Sequence, residues 1–156
     1  MEDEDLKKWD HRFLDLALLI ASWSKDTSTK VGCVVVGPNR EIRSTGYNGL
    51  PRGVDDDDPA RFERPEKYLY TEHCERNAIY NAARMGLSLE GCTMYMPWFP
   101  CADCCRAIIQ SGITTLVASE PEWSDPKWGK SHNAAVSMLT EARVAIRWRE
   151  AQPVRV

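Results

Sequence analysis

The sequence predicts one α/β domain of three layers, with a central mixed sheet of about five strands and helices on both faces. Segments of helical periodicity alternate with short β-type runs in the order α-β-β-α-β-α-β-α-β, and this order is typical of layered α/β folds. The 156 residues are 43% hydrophobic and 28% charged, which suits one globular domain with one core. We therefore expect residues 1–156 to form a single domain.

The N-terminal part of the chain predicts a helix followed by a β-hairpin. Apolar residues recur at helical spacing between residues 6 and 24, which indicates an amphipathic helix. Residues 31–37 form a valine-rich run of the kind found in strands buried on both faces. Pro38 and Asn39 supply a turn, so we expect residues 41–47 to pair with that strand.

The middle of the chain predicts a long loop and a second helix. Residues 48–70 contain three prolines, two glycines and a run of four aspartates, without an apolar period. Long ordered loops in compact domains are often functional. Residues 73–85 are rich in helix formers, and Gly86 stands where a helix would be capped.

The C-terminal half predicts alternating strands and helices. Pro100 suits a helix start and Gly112 a helix end. The predicted elements are a strand at 92–96, a helix at 101–111, a strand at 114–118, a loop at 120–132, a helix at 133–142 and a strand at 144–148.

Charge and hydropathy exclude several classes of protein. The formal net charge is −3, so no global positive field would recruit long nucleic acid. No apolar run approaches the roughly 20 residues that a membrane span needs, and the first residues are acidic where a secretory signal would be basic. We therefore expect a cytoplasmic protein with a small-molecule substrate and six reduced cysteines.

Three residues at two predicted helix starts have the types and spacing of a catalytic zinc site. Cys101 and Cys104 lie three residues apart on one face of a first helical turn, where the helix dipole favours thiolates. His73 supplies a third ligand if its helix end meets that of Cys101. Catalytic zinc takes three protein ligands and keeps a fourth position open to water, so we expect one catalytic zinc ion here.

Two carboxylates compete for the role of proton carrier beside this site. Glu72 and Glu75 flank His73, and their spacing at a helix start does not choose between them. The pattern His-x-Glu followed by Pro-Cys-x-x-Cys is the signature of zinc nucleobase deaminases, and it selects Glu75. In such a reaction one carboxylate can deliver a proton first to the ring nitrogen and then to the departing amine.

Two other interpretations of the cysteines stay open at this point. Cys74, Cys92 or Cys105 could provide a fourth ligand and turn the site into a closed structural one. A thioredoxin-like redox pair at Cys101 and Cys104 would leave the histidine and the glutamate unexplained.

From about residue 9 to residue 148 the chain resembles the deoxycytidylate deaminase family of the cytidine deaminase superfamily. The resemblance rests on SKD at 24–26, GYNGLPRG at 46–53, HCERNAI at 73–79 and FPCADC at 99–104. It implies a cytidine deaminase-like fold and hydrolysis of dCMP to dUMP and ammonia. The GYNGxPxG loop is more particular to the deoxycytidylate branch than the zinc motifs are.

The resemblance also implies substrate contacts. Asn48 would bond the sugar hydroxyl, the backbone at Cys74 would contact the pyrimidine carbonyl, and Trp123 would lie against the base or close the site. Alternatively, Trp123 could have a structural role only, as an aromatic side chain that anchors its own loop. Many members carry Arg where this chain has Trp23, so Lys25 and Arg52, together with Lys30, are the remaining candidates for phosphate binding.

Regulation and assembly are expected by resemblance alone. In some relatives a nucleotide effector binds with magnesium near the glycine loop, and the carboxylates at 55–58 would suit magnesium, although we favour a solvated turn as the explanation of this run. The superfamily commonly assembles, so a homo-oligomer, either a dimer or a hexamer, is expected.

Three rival functions remain. The first is a deaminase of the same fold that acts on another amino-heterocycle, such as a nucleoside, free cytosine, a guanine or a pterin ring. A polynucleotide deaminase usually has a basic groove, which an acidic chain does not favour. A non-catalytic zinc-stabilised binding module would keep zinc but have no turnover to lose.

Overall fold

The computed structural model describes residues 2–149. Its elements are α1 (Glu2–Ala21), β1 (Gly32–Val36), β2 (Ile42–Tyr47), a 3₁₀ turn (Pro59–Phe62), α2 (Lys67–Tyr70), α3 (Cys74–Met85), β3 (Thr93–Tyr95), α4 (Ala102–Gln110), β4 (Thr115–Ser119), α5 (Gly129–Glu141) and β5 (Ala145–Arg149). Within these residues, no helix has the length and apolar character required to cross a bilayer.

The five strands form one mixed sheet in the order β2-β1-β3-β4-β5. β1 pairs antiparallel with both β2 and β3, while β3, β4 and β5 run parallel. The parallel strands are joined by α4 and α5, as crossover connections require. The predicted hairpin and the predicted five-stranded mixed sheet are therefore confirmed.

Helices cover both faces of the sheet, as predicted. Every residue of β1 is buried, because its alternate side chains enter two different cores. Val34 and Val36 pack with α1 in the smaller core. Cys33 and Val35 face the larger core, to which α3, α4 and α5 contribute. The candidate site residues lie at the N-terminal ends of α3 and α4, on the side of this larger core.

Two glycines let helices approach the hairpin closely. A Cβ atom on Gly32 would stand 2.4 Å from the carbonyl oxygen of Ala17 in α1. A Cβ atom on Gly46 would stand 2.2 Å from the carbonyl oxygen of Cys74 and 2.5 Å from the amide nitrogen of Ala78 in α3. Only glycine permits these contacts, and the second one sets the position of the first turn of α3.

Some predicted boundaries were wrong. The first helix spans Glu2–Ala21 and not 6–24, because acidic residues extend its first turn and Ser22 begins a turn. The 48–70 segment is not all loop, since it holds the 3₁₀ turn and α2. α5 begins at Gly129, four residues before the predicted start, so its first turn lies inside the predicted 120–132 loop.

Candidate active site

Two helix starts bring together the three predicted zinc ligands. His73 is the N-cap residue of α3 and Cys101 the N-cap residue of α4, both with extended backbone. Neither side chain caps its own helix, so both are free to turn toward each other. Cys104 lies one turn into α4 and is fully buried. α3 and α4 pack side by side, which brings the two N-termini together.

The geometry of this group fits a tetrahedral zinc ion. Nδ1 of His73 lies 3.6 Å from Sγ of Cys101 and 3.4 Å from Sγ of Cys104, and all three atoms lie within 4.8 Å of one another. With Zn–S about 2.3 Å and Zn–N about 2.0–2.1 Å, a tetrahedral angle separates nitrogen and sulfur by roughly 3.5–3.6 Å. The donor set and its spacing therefore suit zinc without rearrangement.

The thiol pair is prepared to carry negative charge. The hydrogen bond with Cys104 is the main reason that the pKa of Cys101 falls to about 4, and His73 assists. The pKa of Cys104 is raised, because its proton is held by the Cys101 sulfur and its own charge would be buried beside that thiolate. Deprotonation is thus easier at Cys101 than at Cys104, even before any cation adds its attraction.

The other cysteines do not complete a four-ligand site. The thiol of Cys105 donates to the carbonyl oxygen of Ala135 in α5, at 3.3 Å, and that of Cys92 turns toward the carbonyl oxygen of Glu90. Cys74 directs its sulfur to the carboxylate of Glu75, at 3.4 Å. Among residues 2–149 the metal-competent group has only three members, and all six thiols are free.

The structure distinguishes the two candidate carboxylates. Oε1 of Glu72 accepts the backbone N–H of His73 at 3.0 Å and Nε of Arg76 at 2.6 Å. Glu72 is thereby engaged in holding the turn that carries His73.

Glu75 is buried, with 4% of its surface exposed. Burial is the main cause that raises the pKa of Glu75. The charge of His73 lowers this pKa and the charge of Cys101 raises it, so two of the three candidate ligands act on the carboxyl group. No Lys or Arg nitrogen of the described chain forms an ion pair with it. A carboxyl group in these surroundings can hold a proton and release it within the site.

Asn48 and Cys74 are connected to the candidate ligand His73 through the backbone. Gly49 and Glu72 form a two-bond antiparallel bridge, so Asn48 neighbours the residue before His73. The amide of Asn48 accepts from Val31 N and donates to Thr29 O, each at 2.8 Å. An amide has four hydrogen-bonding positions, so two remain for a ligand.

Cys74 is the first residue of α3, so its backbone N–H has no partner within the helix. That N–H follows His73 directly in the chain and forms part of the positive end of the helix dipole. It is therefore suited to a carbonyl oxygen of a bound ring, as the resemblance implies.

Trp123 belongs to an aromatic cluster beside α4. Its ring meets those of Phe99 and Trp148 edge-on, with centroids 5.7 Å and 5.9 Å away. Phe99 also meets His132, at 5.6 Å, and stands two residues before Cys101. The Nε1 atom of Trp123 donates to Glu120. These contacts show how the loop that carries Trp123 is anchored. The contact of Trp123 with a bound base stays a prediction.

Lys25 and Arg52, two of the three predicted phosphate ligands, have different partners. Nζ of Lys25 is paired with the carboxylates of Asp56, at 2.8 Å, and Asp57, at 3.4 Å. Arg52 donates to the side chain of Asn81 at 2.7 Å, two turns along α3 from His73, about 12 Å along the helix axis. Neither is grouped with the candidate ligands, and their role stays a prediction.

The aspartate run has local partners. Asp56 and Asp57 pair with Lys25. The side chain of Asp58 caps the 3₁₀ turn by accepting the N–H of Ala60, and that of Asp55 accepts the N–H of Asp57. These bonds account for the run as a folded turn.

Sequence reasoning missed two residues that support the site. Oγ of Ser131 in α5 accepts the N–H of Ala102 at 2.8 Å and so caps α4 from another helix. His132, unassigned from sequence, lies beside this contact, and burial lowers its pKa. Both were hidden because the first turn of α5 resembled a loop.

Comparison with known proteins identifies the family. A family model described as "Cytidine and deoxycytidylate deaminase zinc-binding region" matches residues 7–120. A protein of Aliivibrio fischeri named "Uncharacterized deaminase in luxG 3'region" is 42% identical over 146 residues, which are 92% of this chain and 95% of that protein. Deoxycytidylate deaminase of Homo sapiens is 35% identical over 127 residues, 78% of this chain and 70% of that enzyme.

A solved structure shows the same fold. The dCMP deaminase of cyanophage S-TIM5, in complex with dCMP and dUMP, superposes with a TM-score of 0.73 at 22% identity and covers 91% of this chain and 97% of that one. The expected cytidine deaminase-like fold and the expected class of zinc-dependent hydrolase are confirmed. The chain therefore belongs to the family of zinc-dependent cytidine and deoxycytidylate deaminases.

Proposed function

We propose that this chain hydrolyses dCMP to dUMP and ammonia. Relatives named deoxycytidylate deaminase, at 35–37% identity over about three quarters of the chain, support the substrate. The single observation that carries the chemistry is the adjacency of a buried carboxyl group, Glu75, to the group formed by His73, Cys101 and Cys104.

His73 Nδ1 and the sulfurs of Cys101 and Cys104 would hold the zinc ion. When bound there, the metal supplies a water molecule acidified toward neutral pH as the nucleophile for C4 of the ring. Glu72 keeps the His73 turn in place through its two hydrogen bonds, and Ser131 does the same for α4.

Glu75 carries the protons in this proposal. A carboxyl group whose pKa is raised by burial accepts a proton from the attacking water and passes it to ring N3. It then takes the proton of the hydroxyl group formed on C4 and delivers it to the amino group, which leaves as ammonia while the C4–O bond becomes the carbonyl. One water is consumed, and the oxygen remains at C4 of dUMP.

The ring would be oriented by groups that come from three segments. The free N–H of Cys74 suits the pyrimidine carbonyl, and the remaining hydrogen-bonding positions of Asn48 suit the sugar hydroxyl. Trp123 offers an aromatic wall through its contact with Phe99. Flat heterocycles are commonly held by such a wall and a few placed polar groups.

A second candidate is a deaminase of another amino-heterocycle: a nucleoside, free cytosine, a guanine or a pterin ring. Two observations favour it. Trp23 replaces the arginine of many family members, and Lys25 is already neutralised by two carboxylates. Both reduce the charge available to a phosphate at that edge of the site.

A substrate panel tests the proposal. Ammonia release by the purified zinc-loaded enzyme would be compared for dCMP, dCTP, cytidine, cytosine and guanine, with Glu75→Gln as the control for contaminating activity. We expect kcat/KM to be greatest for dCMP. Preference for a compound without phosphate would overturn the nucleotide assignment and support the second candidate.

Assembly, regulation and location are proposed by family resemblance. A dimer or a hexamer would appear in light scattering of the purified chain. Activation by dCTP that requires magnesium would support an effector at residues 55–58. A cytoplasmic location would be tested by cell fractionation.

A further inference from the structure

Two cations converge on one tyrosine hydroxyl at the surface. Nε of Arg64 lies 2.7 Å from the hydroxyl oxygen of Tyr68, and Nζ of Lys127 lies 2.5 Å from the same atom. Because both nitrogens contact the same oxygen atom, the two positive charges lie close to each other. Tyr68 belongs to α2, whereas Lys127 comes from the loop before α5, so this contact joins α2 to that loop.

Neither cation has a carboxylate partner. Within residues 2–149, no Asp or Glu oxygen lies within 4.0 Å of the charged groups of Arg64 or Lys127. Their neighbours are instead aromatic rings: Nζ of Lys127 lies 5.0 Å from the ring centroid of Tyr68 and 5.3 Å from that of Trp128. Lys127 and then Arg64 lower the pKa of Tyr68, as unbalanced positive charge should.

Three other cations of the chain are already paired with carboxylates. Lys25 is satisfied by Asp56 and Asp57, Lys67 by Asp26, and Arg76 by Glu72. An incoming phosphate would have to displace a carboxylate from each of these. At Arg64 and Lys127 the phosphate would instead meet two adjacent positive charges. These charges repel each other, and no carboxylate of residues 2–149 pairs with either of them.

A series of side-chain contacts and short chain segments connects this pair to the candidate metal ligands. Lys127 lies four residues before Ser131, about one helical turn, and Ser131 caps the first turn of α4 beside Cys101. The ring of Trp128 stacks near His132, which packs on Phe99. On the other side, Tyr68 lies five residues before His73. The segments that carry this pair are therefore close in sequence to the candidate metal ligand His73 and to Ser131, which contacts α4.

We propose that Arg64 and Lys127 form the subsite that binds the 5′-phosphate of the substrate, with Tyr68 as the positioning residue that holds them together. This inference rests on the proposed function, because it assigns the phosphate of the nucleotide whose base is deaminated. A guanidinium and an ammonium both bind phosphate oxygens with charge-assisted hydrogen bonds. The subsite supplies the positive charge that Trp23 cannot.

Equilibrium binding tests the subsite without turnover. The zinc-loaded protein and its Lys127→Met and Arg64→Met variants would be titrated calorimetrically with dUMP, deoxyuridine and inorganic phosphate. We expect each variant to bind dUMP roughly 10- to 100-fold more weakly, with deoxyuridine affinity unchanged within twofold. Lys130→Ala and Arg84→Ala remove exposed charges of the same kind elsewhere and should leave dUMP binding unchanged.

Kinetics and stability separate the outcomes. In the variants KM for dCMP should rise while kcat stays nearly constant, and Tyr68→Phe should raise KM by a smaller factor. Equal loss of dUMP and deoxyuridine binding, or unchanged dUMP binding, would overturn the subsite. If the wild-type enzyme deaminates no cytosine compound, the proposed function fails, yet tighter binding of dUMP than of deoxyuridine that depends on Lys127 would still support the anion site. Thermal melting checks that each variant is folded.

Discussion

Arg76 in the first turn of α3 forms an ion pair with Glu72, two residues before the helix, and Nε of the arginine lies 2.6 Å from Oε1 of the glutamate. The same oxygen accepts the N–H of His73, so this pair fixes the turn that presents the histidine. Glu75, three residues later than Glu72, is buried, and no Lys or Arg within residues 2–149 forms an ion pair with it. One helix start thus gives two nearby carboxylates different environments and different roles.

Replacement of these two carboxylates should have unequal effects. Glu75→Gln preserves shape but cannot carry a proton, so turnover should fall by roughly 10²- to 10⁴-fold while zinc is retained. Glu72→Gln keeps an acceptor for His73 and should reduce turnover by no more than roughly tenfold. Steady-state deamination rates and zinc content check both. The reverse ranking would show that Glu72 is the proton carrier.

Removal of one partner from the buried ion pair between Asp26 and Lys67 should destabilise the protein strongly. Their charged atoms lie 2.8 Å apart, and the side chains are 1% and 9% exposed. Lys67→Met leaves a buried carboxylate without its cation, which should cost about 3–5 kcal/mol of unfolding free energy. Urea denaturation at pH 7 measures the loss. The double variant with Asp26→Asn should be more stable than Lys67→Met alone, and failure to see this recovery would argue against the pairing.

The same pair predicts a dependence of stability on acid. Burial raises the pKa of Asp26, but hydrogen bonds from Lys67, Thr29 and Ser28 outweigh it and lower the pKa from 3.8 to about 2. The unfolded chain therefore takes up the proton at higher pH than the folded one. About 2 kcal/mol of stabilisation should be complete above about pH 4 and lost as the pH falls through about 2. The Asp26→Asn variant should lose this pH-dependent part of the unfolding free energy, whereas a variant of the exposed Asp3, Asp3→Asn, should keep it.

Gly46→Ala tests the close approach of α3 to β2. The added methyl group would meet the carbonyl oxygen of Cys74 and the amide nitrogen of Ala78 well inside contact distance. We expect a loss of about 1–3 kcal/mol in unfolding free energy, together with lower zinc occupancy because the His73 turn shifts. Gly49→Ala is the matched control, since its nearest neighbour would be a ring carbon of Tyr47 at 3.9 Å. Equal melting temperatures for the two variants would contradict this account.

The parts of the molecule that short-range patterns specify were predictable. The valine-rich run of β1 and the spacing of Cys101 and Cys104 depend on residues a few positions apart, and the structure places them as expected. α5 was missed in its first turn because Asp125, with its side chain accepting the N–H groups of Lys127 and Trp128, builds the turn before the helix. Two tryptophans and a glycine there gave no helical pattern.

The parts that depend on distant partners were not predictable. Local geometry could not choose between Glu72 and Glu75, because the choice depends on Arg76 and on burial under the sheet. Lys25 was a reasonable phosphate ligand from sequence, yet Asp56 and Asp57 reach it from a loop 31 and 32 residues away. The pairing of Tyr68 with Lys127 spans 59 residues.

Metal content and zinc X-ray absorption of the purified chain test the central claim most directly. The account predicts one zinc ion per chain with two sulfur ligands at about 2.3 Å and two nitrogen or oxygen ligands at about 2.0–2.1 Å, one of them exchangeable. Cys104→Ser should lose the metal, and Cys105→Ser should keep it. A shell of three or four sulfurs, or a chain without zinc that still turns over, would contradict the account.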